Sequence, residues 1–243
     1  MNERFRRWSQ LAMRALLPWS CALCQARCDA ALCAGCADAY TTAHRPRCPR
    51  CANPCAAADA MRPCGACQAA RPAYDATIAA VDYAAPLDQL VLQLKFGAAL
   101  ALAPWLAGAL RQAMLTGTRA PLPNLICPVP LSAARLRERG YNQALEIARP
   151  LAHSLGVALY PRLAIRVIDT PAQSGVSMAE RKRNLRHAFV VVPEAVALLR
   201  GQHVGVVDDV MTSGHTLDEL AATLKRFGAA RVTNLVFART PPR

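Results

Sequence analysis

The sequence predicts an α/β domain with substantial parallel-sheet character, preceded by a small cysteine-rich module. Three observations lead there. From about Tyr74 onward, strand-like and helix-like patterns alternate. Ten of the eleven cysteines lie between Cys21 and Cys67, and only Cys127 comes later. Large apolar residues show the opposite bias, because residues 21–70 hold only Leu23, Leu32, Tyr40 and Met61. A segment so poor in apolar side chains needs cross-links in place of a core. The full 243 residues suffice for two domains, taking roughly 150 residues per domain.

The cysteines fall into Cys21-x2-Cys24-x8-Cys33-x2-Cys36 and Cys48-x2-Cys51-x12-Cys64-x2-Cys67. Two successive C-x2-C pairs make a four-thiolate tetrahedral zinc site, each pair gripping the metal from one tight knuckle. Two structural zinc ions are therefore expected. A disulfide scaffold is the alternative, and the absence of an export signal argues against it. A redox C-x2-C normally occurs once, at a helix start. Cys28, Cys55 and His44 are spare and could replace a ligand, and the pairing assumes sequential sites. Zinc held by four thiolates keeps no open position, so the module is structural or interactive. Arg27, Arg45, Arg47, Arg50 and Arg62 surround it. Neutralisation of the thiolate clusters is favoured for them over contact with nucleic acid.

The net charge of +13 favours an anionic partner: nucleic acid, a phosphorylated metabolite or an acidic membrane face. Only three of the 29 basic residues are lysine, which suits bidentate phosphate contacts and also follows from a coding bias toward Arg and Ala. The basic N-terminus MNERFRRWSQLAMRALLPWSC is interrupted at Arg14 and ends in a poor cleavage site, so export is not expected. Phe5, Trp8, Leu11, Ala12 and Leu16 fit one face of an amphipathic helix over residues 1–20. The apolar run GAALALAPWLAGAL is too short to span a bilayer and contains Pro104. A soluble, cytoplasmic protein without a membrane span is expected.

In the second part, strands are predicted near residues 77–83, 125–129, 203–208 and 231–238. Helices are predicted over residues 86–96, 100–115, 142–155 and 216–227. The last is the clearest, since Leu217, Leu220, Ala221, Leu224 and Phe227 share a face and Gly228 supplies a stop. A strand, a short loop and a helix thus frame VGVVDDVMTSGHT, residues 204–216. Open α/β sheets bind ligands beyond the carboxyl ends of their strands, where helix amino ends attract anions. Thr212, Ser213, Gly214, His215 and Thr216 can turn backbone N–H groups and three hydroxyls toward one phosphate, and Gly214 permits close approach. Asp208 and Asp209 would repel phosphate but accept hydrogen bonds from vicinal hydroxyls. The combination fits a sugar phosphate, with ribose on the acids and the 5-phosphate on the loop. A Walker-type hydrolase also ends a strand in acids, but no G-x4-G-K-[ST] loop exists here, and no G-x-G-x-x-G marks a Rossmann fold.

VVDDVMTSGHT resembles the phosphoribosyl-pyrophosphate fingerprint of type I phosphoribosyltransferases. Around it, in order, stand the two pairs of C-x2-C motifs with Cys48-Pro49-Arg50-Cys51 and Pro63-Cys64-Gly65-Ala66-Cys67, then Tyr83 to Pro86, Leu94-Lys95-Phe96, Pro128-Val129-Pro130-Leu131, Arg139-Gly140-Tyr141-Asn142-Gln143 and Arg181-Lys182-Arg183-Asn184. In that order they resemble the ComF family, of the ComFC or GntX type. The resemblance implies a double zinc ribbon over residues 21–70, and over residues 71–243 a type I phosphoribosyltransferase-like sheet with helices on both faces. It implies binding of phosphoribosyl pyrophosphate with magnesium by Asp208, Asp209, Val210, Met211, Thr212, Ser213, Gly214, His215 and Thr216, with the two acids as candidate catalytic residues.

Arg135, Arg139 and Arg181 are the candidates for the pyrophosphate and for a mobile loop near residues 169–178; Arg137 is a further possibility. Gln173 and Asn184 match the family pattern without a derivable role, and Tyr141, Asn142 and Gln143 would line the pocket. For function, the resemblance implies handling of incoming single-stranded DNA in natural transformation, with a competence helicase and a recombination mediator as partners. The alternative is a metabolic phosphoribosyltransferase acting on an unidentified base or amine.

Overall fold

Parallel strands covered on both sides read as near-continuous apolar runs, and the central sheet is built from such runs. The computed structural model describes residues 19–41, 45–116, 121–167 and 188–241. The expected N-terminal helix, the loop near residues 169–178 with Gln173, Arg181 and Asn184, and His44 lie outside the described residues.

The cysteine-rich segment contains the antiparallel pair β1 (Trp19–Ser20) and β2 (Arg27–Cys28), then the short helices α1 (Ala34–Thr41) and α2 (Gly65–Ala70). There follow β3 (Ala76–Asp82), α3 (Asp88–Phe96), α4 (Ala103–Thr116), β4 (Leu125–Pro128), α5 (Ala133–Arg139), α6 (Gln143–Leu155) and β5 (Ala158–Leu159). The chain then forms β6 (Ala164–Arg166), β7 (Phe189–Val191), α7 (Val196–Leu199), β8 (His203–Met211), α8 (His215–Arg226) and β9 (Arg231–Arg239). Five strands, all parallel, lie side by side in the order β3-β9-β8-β4-β5. β6 and β7 form a separate antiparallel pair.

Two apolar layers cover the sheet. On one side α3, α4 and α6 contribute Leu90, Leu106 and Leu151 beneath Val207 and Leu235. On the other, α8 contributes Leu217, Leu220 and Leu224 beneath Val206 and Val232. Helices thus flank both faces, as the fold class requires. The cysteine segment has no core of its own. Cys21, Ala31 and Leu32 join the α3–α4 layer, whereas Cys48, Cys51, Ala52 and Cys67 join the α8 layer. The two knuckle pairs therefore belong to opposite layers of one sheet, and the edge strand β3 is closed by the Thr77 N–H donating to the Pro49 carbonyl at 3.2 Å.

Each strand and helix predicted after Tyr74 is present, with shifted ends, whereas Trp19 and Ser20, at the end of the helix expected over residues 1–20, form β1. The strand predicted over residues 203–208 runs on to Met211, the helix predicted over 216–227 starts at His215, and the helix predicted over 100–115 starts at Ala103 after a 3-10 turn, Leu100–Leu102. α5 was not anticipated, although Ser132 caps it by accepting from the Arg135 N–H. Among the described residues no helix is long and apolar enough to cross a membrane.

Candidate functional site

A cleft of about 640 Å³ opens where β4 and β8 end. Asp208 and Asp209 both border it, although neighbours in a strand should point to opposite faces. Alternation breaks at this pair. Val206 packs in the α8 layer and Val207 in the α3–α4 layer, yet beyond the acids Val210 joins the α3–α4 layer and Met211 the α8 layer. That reversal within four residues lets both carboxylates reach one cavity.

Asp209 is only 2% exposed. Its Oδ2 pairs with Lys95 Nζ at 2.5 Å, and its Oδ1 accepts from Gln143 Nε2 at 3.3 Å. Asp208 Oδ1 accepts from the Asp209 N–H at 2.9 Å. Burial, and then the adjacent Asp209 carboxylate, push the Asp208 carboxyl well above the usual range. Arg139 donates to Gln143 Oε1, so a chain of contacts runs from Arg139 through Gln143 to Asp209. Asn142 caps α6 by accepting from the Ala144 and Leu145 N–H groups, and its Nδ2 donates to the Val129 carbonyl at 3.0 Å.

Thr212 and Thr216 border the same cleft. Between them, Gly214 has φ +81°, and a Cβ there would lie 2.5 Å from Met211 Cε. Gly214 is the N-cap of α8 and provides no side-chain cap, so the first-turn N–H groups stay available to an anion. Ser213 is exposed, with its Oγ 3.2 Å from His215 Nδ1. Val210 borders the cleft, while the Met211 side chain is buried in the core and supports the loop from behind.

Arg135 and Arg139 both line the cleft, and Arg137 stands exposed on the same helix. Lys95, Phe96, Tyr83 and Arg166 also line it and were not singled out as site residues. The motifs Tyr83 to Pro86 and Leu94-Lys95-Phe96 are the available signal for three of them; nothing in the spacing marks Arg166.

Beneath the loop lies Arg239, 6% exposed at the end of β9. Its Nε donates to the Cys51 carbonyl at 2.8 Å. One of its terminal nitrogens donates to the carbonyls of Met211 at 3.0 Å, Thr212 at 2.5 Å and Thr240 at 2.6 Å. One guanidinium thus ties the second cysteine knuckle to the start of the loop.

In each cysteine cluster the four sulfurs lie within 4.8 Å of one another. Cys24 and Cys33 sulfurs are 3.6 Å apart and Cys51 and Cys64 sulfurs 3.7 Å. A tetrahedral zinc with bonds of about 2.3 Å sets its sulfurs about 3.8 Å apart, so the donor sets fit that ion. The electrostatics agree. Burial raises the Cys21 thiol, but backbone N–H groups of its own knuckle and of Cys33 in the facing one outweigh it and bring it down to about 6. Cys48 falls to about 7 by the same balance. Burial and then neighbouring sulfurs push Cys36 up to about 12. One thiolate is favoured and a second resisted, a conflict that a divalent cation removes. Cys28 and Cys55 stand outside both clusters.

Family models of a double zinc ribbon domain and a phosphoribosyl transferase domain match residues 12–68 and 142–242 respectively. A relative from Salmonella typhimurium, "DNA utilization protein YhgH", is 38% identical over 231 residues, covering 92% of this chain and 97% of the relative. "Competence protein F" of Haemophilus influenzae is 31% identical over 166 residues, 65% of this chain and 70% of that protein. A solved adenine phosphoribosyltransferase from Thermoanaerobacter pseudethanolicus aligns with 59% of this chain and 82% of its own at 18% identity and a TM-score of 0.33, too loosely to bear on the site. With a cysteine-rich double ribbon joined to a parallel phosphoribosyltransferase sheet, and with relatives matching along nearly its whole length, the chain belongs to the ComF family.

Proposed function

We propose that the cleft binds phosphoribosyl pyrophosphate with magnesium and that the protein serves DNA uptake by handling incoming single-stranded DNA. The observation that carries the first half is the convergence of two carboxylates and an uncapped helix amino end on one cavity. Asp208 and Asp209 take the ribose hydroxyls, and the loop from Thr212 to Thr216 takes the 5-phosphate. Arg135 and Arg139 face the pyrophosphate, where basic groups and magnesium offset the charge of a leaving group. The names of the relatives and the +13 charge support the second half. On this reading residues 21–70 are a double ribbon holding two structural zinc ions, and residues 71–243 form the phosphoribosyltransferase domain. The reducing cytoplasm is the compartment such thiol clusters need. Family resemblance alone brings a helicase and a recombination mediator into this reading.

Calorimetric titration with phosphoribosyl pyrophosphate, with and without magnesium, tests the first half. Saturable binding that is lost in Asp208→Asn/Asp209→Asn is expected; equal affinity in the double variant refutes the site. A mobility-shift titration of single-stranded DNA tests the second: affinity that falls steeply with salt is expected, and no shift at low salt overturns it.

A further inference from the structure

We infer that Lys95 is the positioning residue of the acid pair and its built-in counter-cation, so that a sugar phosphate can enter the cleft without help from a divalent cation. The inference rests on the sugar-phosphate reading above and adds what makes two acids compatible with an anionic ligand.

Two adjacent carboxylates beside a phosphate loop repel the ligand they are to hold. Buried, they also lose hydration and repel each other. The cleft therefore needs a positive charge at the acids, and Lys95 supplies it. Its Nζ lies 2.5 Å from Asp209 Oδ2, and the Asp209 side chain is 3% exposed, so solvent screens the pair little. The field of the ammonium reaches Asp208 as well. Burial and then Asp209 raise that carboxyl, and Lys95 is a charge that works against them.

Two sequence motifs meet on this ion pair. Leu94-Lys95-Phe96 brings the ammonium, because Leu90, Val91 and Leu94 bury one face of α3 completely and fix where its last turn ends. Arg139-Gly140-Tyr141-Asn142-Gln143 closes around it. The Tyr141 hydroxyl donates to the Leu94 carbonyl, one residue before the lysine. Gln143 Nε2 donates to Asp209 Oδ1 at 3.3 Å, while Gln143 Oε1 accepts from Arg139. Both oxygens of Asp209 thus have a partner before a ligand arrives, one from α3 and one from α6. A carboxylate held from two helices is positioned in advance. Gln143 is neutral and the Arg139 guanidinium is turned to Gln143 and the Phe96 ring, which leaves the charge at Asp209 to Lys95.

A division of labour follows. Lys95 answers the acids, and magnesium answers the pyrophosphate. Ribose 5-phosphate carries no pyrophosphate and should bind without the metal.

The test measures ribose 5-phosphate binding by calorimetry on the full chain, once with magnesium and once with a chelator. Wild-type affinities in the two conditions should agree within about threefold, because the acids already have their counter-ion. Lys95→Gln keeps a hydrogen-bond donor but removes the charge. Its affinity should fall more than about tenfold in chelator and recover most of that loss in magnesium, as expected for an uncompensated charge in a poorly screened site. Lys95→Arg should behave as the wild type does. A lysine that only supports the fold would lower the affinity of Lys95→Gln equally in both conditions, and that result overturns the inference. Unchanged affinity of Lys95→Gln in chelator overturns it too. Should Lys95→Gln fail to fold, the wild type decides alone: a magnesium requirement above about tenfold means that the acids lack a counter-cation. Each of these outcomes leaves the sugar-phosphate site standing. If ribose 5-phosphate binds the wild type in neither condition, the two readings fall together.

Discussion

The two cysteine clusters share one ligand set and one spacing motif but occupy different mechanical positions. The first is more peripheral: only Cys21 is buried, Cys24 is exposed, Cys33 and Cys36 are half-buried, and the knuckle meets α3 where Gln93 Nε2 donates to the Ala22 carbonyl at 3.2 Å. The second is buried at Cys48, Cys51 and Cys67 and braced to its surroundings. Arg50 donates to the carbonyls of Pro72 at 2.8 Å and Tyr74 at 3.0 Å, and Arg239 joins the Cys51 carbonyl to those of Met211 and Thr212. Identical chemistry thus makes an outer brace at one end and the footing of a ligand loop at the other.

Breaking the clusters one at a time should expose that difference most strongly. A structural zinc supplies on the order of 10 kcal/mol of binding free energy at neutral pH. Cys64→Ser should therefore unfold the second knuckle, release one zinc ion and weaken phosphoribosyl pyrophosphate binding by more than tenfold. Cys24→Ser should release one zinc ion and change that affinity by less than about threefold, because the first knuckle is held against α3 through Gln93 and not tied to the loop by a buried guanidinium as the second is. Metal content by mass spectrometry and affinity by calorimetry check both. Equal loss of affinity in the two variants would remove the distinction.

Arg239 tests the strut itself. Arg239→Gln leaves several buried carbonyls with fewer donors than they have now, and about 2–4 kcal/mol of stability should be lost. Arg239→Lys keeps the charge but cannot span carbonyls on both sides, so it should recover only part of the loss. A faster escape of zinc from one cluster to a chelator, together with weaker ligand binding, is the signature of a strut. Loss of stability alone would make Arg239 an ordinary buried cation.

Gly214→Ala acts on the loop without touching the knuckle. At φ +81° an L-residue meets backbone strain worth roughly 1–2 kcal/mol. The Met211 Cε that the new methyl would meet is the end of a flexible side chain and can withdraw. Denaturant titration should show a loss in that range with zinc content unchanged. A neutral effect would mean that the loop relaxes out of the left-handed conformation.

How much of this was legible in the sequence depended on whether a feature is local. The cysteine spacings specify ligation whatever surrounds them, and the clusters formed as paired. The motif at residues 204–216 announced a strand, a loop and a helix, because apolar runs and turn residues are local signals. The break in alternation at Asp208 and Asp209 was not visible, since it depends on what each side chain meets across the sheet. Arg239 looked like the end of a strand, and only tertiary structure gives it carbonyls from three separate segments. Lys95 and Phe96 were visible as a motif, yet their place at the cleft comes from the apolar layer that α3 shares with Val207 and from the Lys95–Asp209 ion pair. The scarcity of apolar residues among the cysteines was read correctly as the lack of a core. That the segment would borrow both layers of the sheet was not deducible from composition.

The smallest expected effect separates stability from function within the cleft. Asp208 has its folded-state pKa raised by burial and by Asp209, so over the interval above the unfolded value the native state binds more protons than the unfolded one. Stability then falls as pH rises through that interval, and the ionised carboxylate is a liability to the fold. Asp208→Asn removes the liability. Its melting temperature should match the wild type near pH 4 and exceed it increasingly toward pH 8, while affinity for phosphoribosyl pyrophosphate drops. The opposite trend, a variant less stable at pH 8 than at pH 4 relative to the wild type, would show that Asp208 is stabilised as a carboxylate in the folded protein. The predicted trend marks Asp208 as a residue kept at some cost to stability, in contrast with the cysteines of the second knuckle, where the groups that shape the site also hold the fold together.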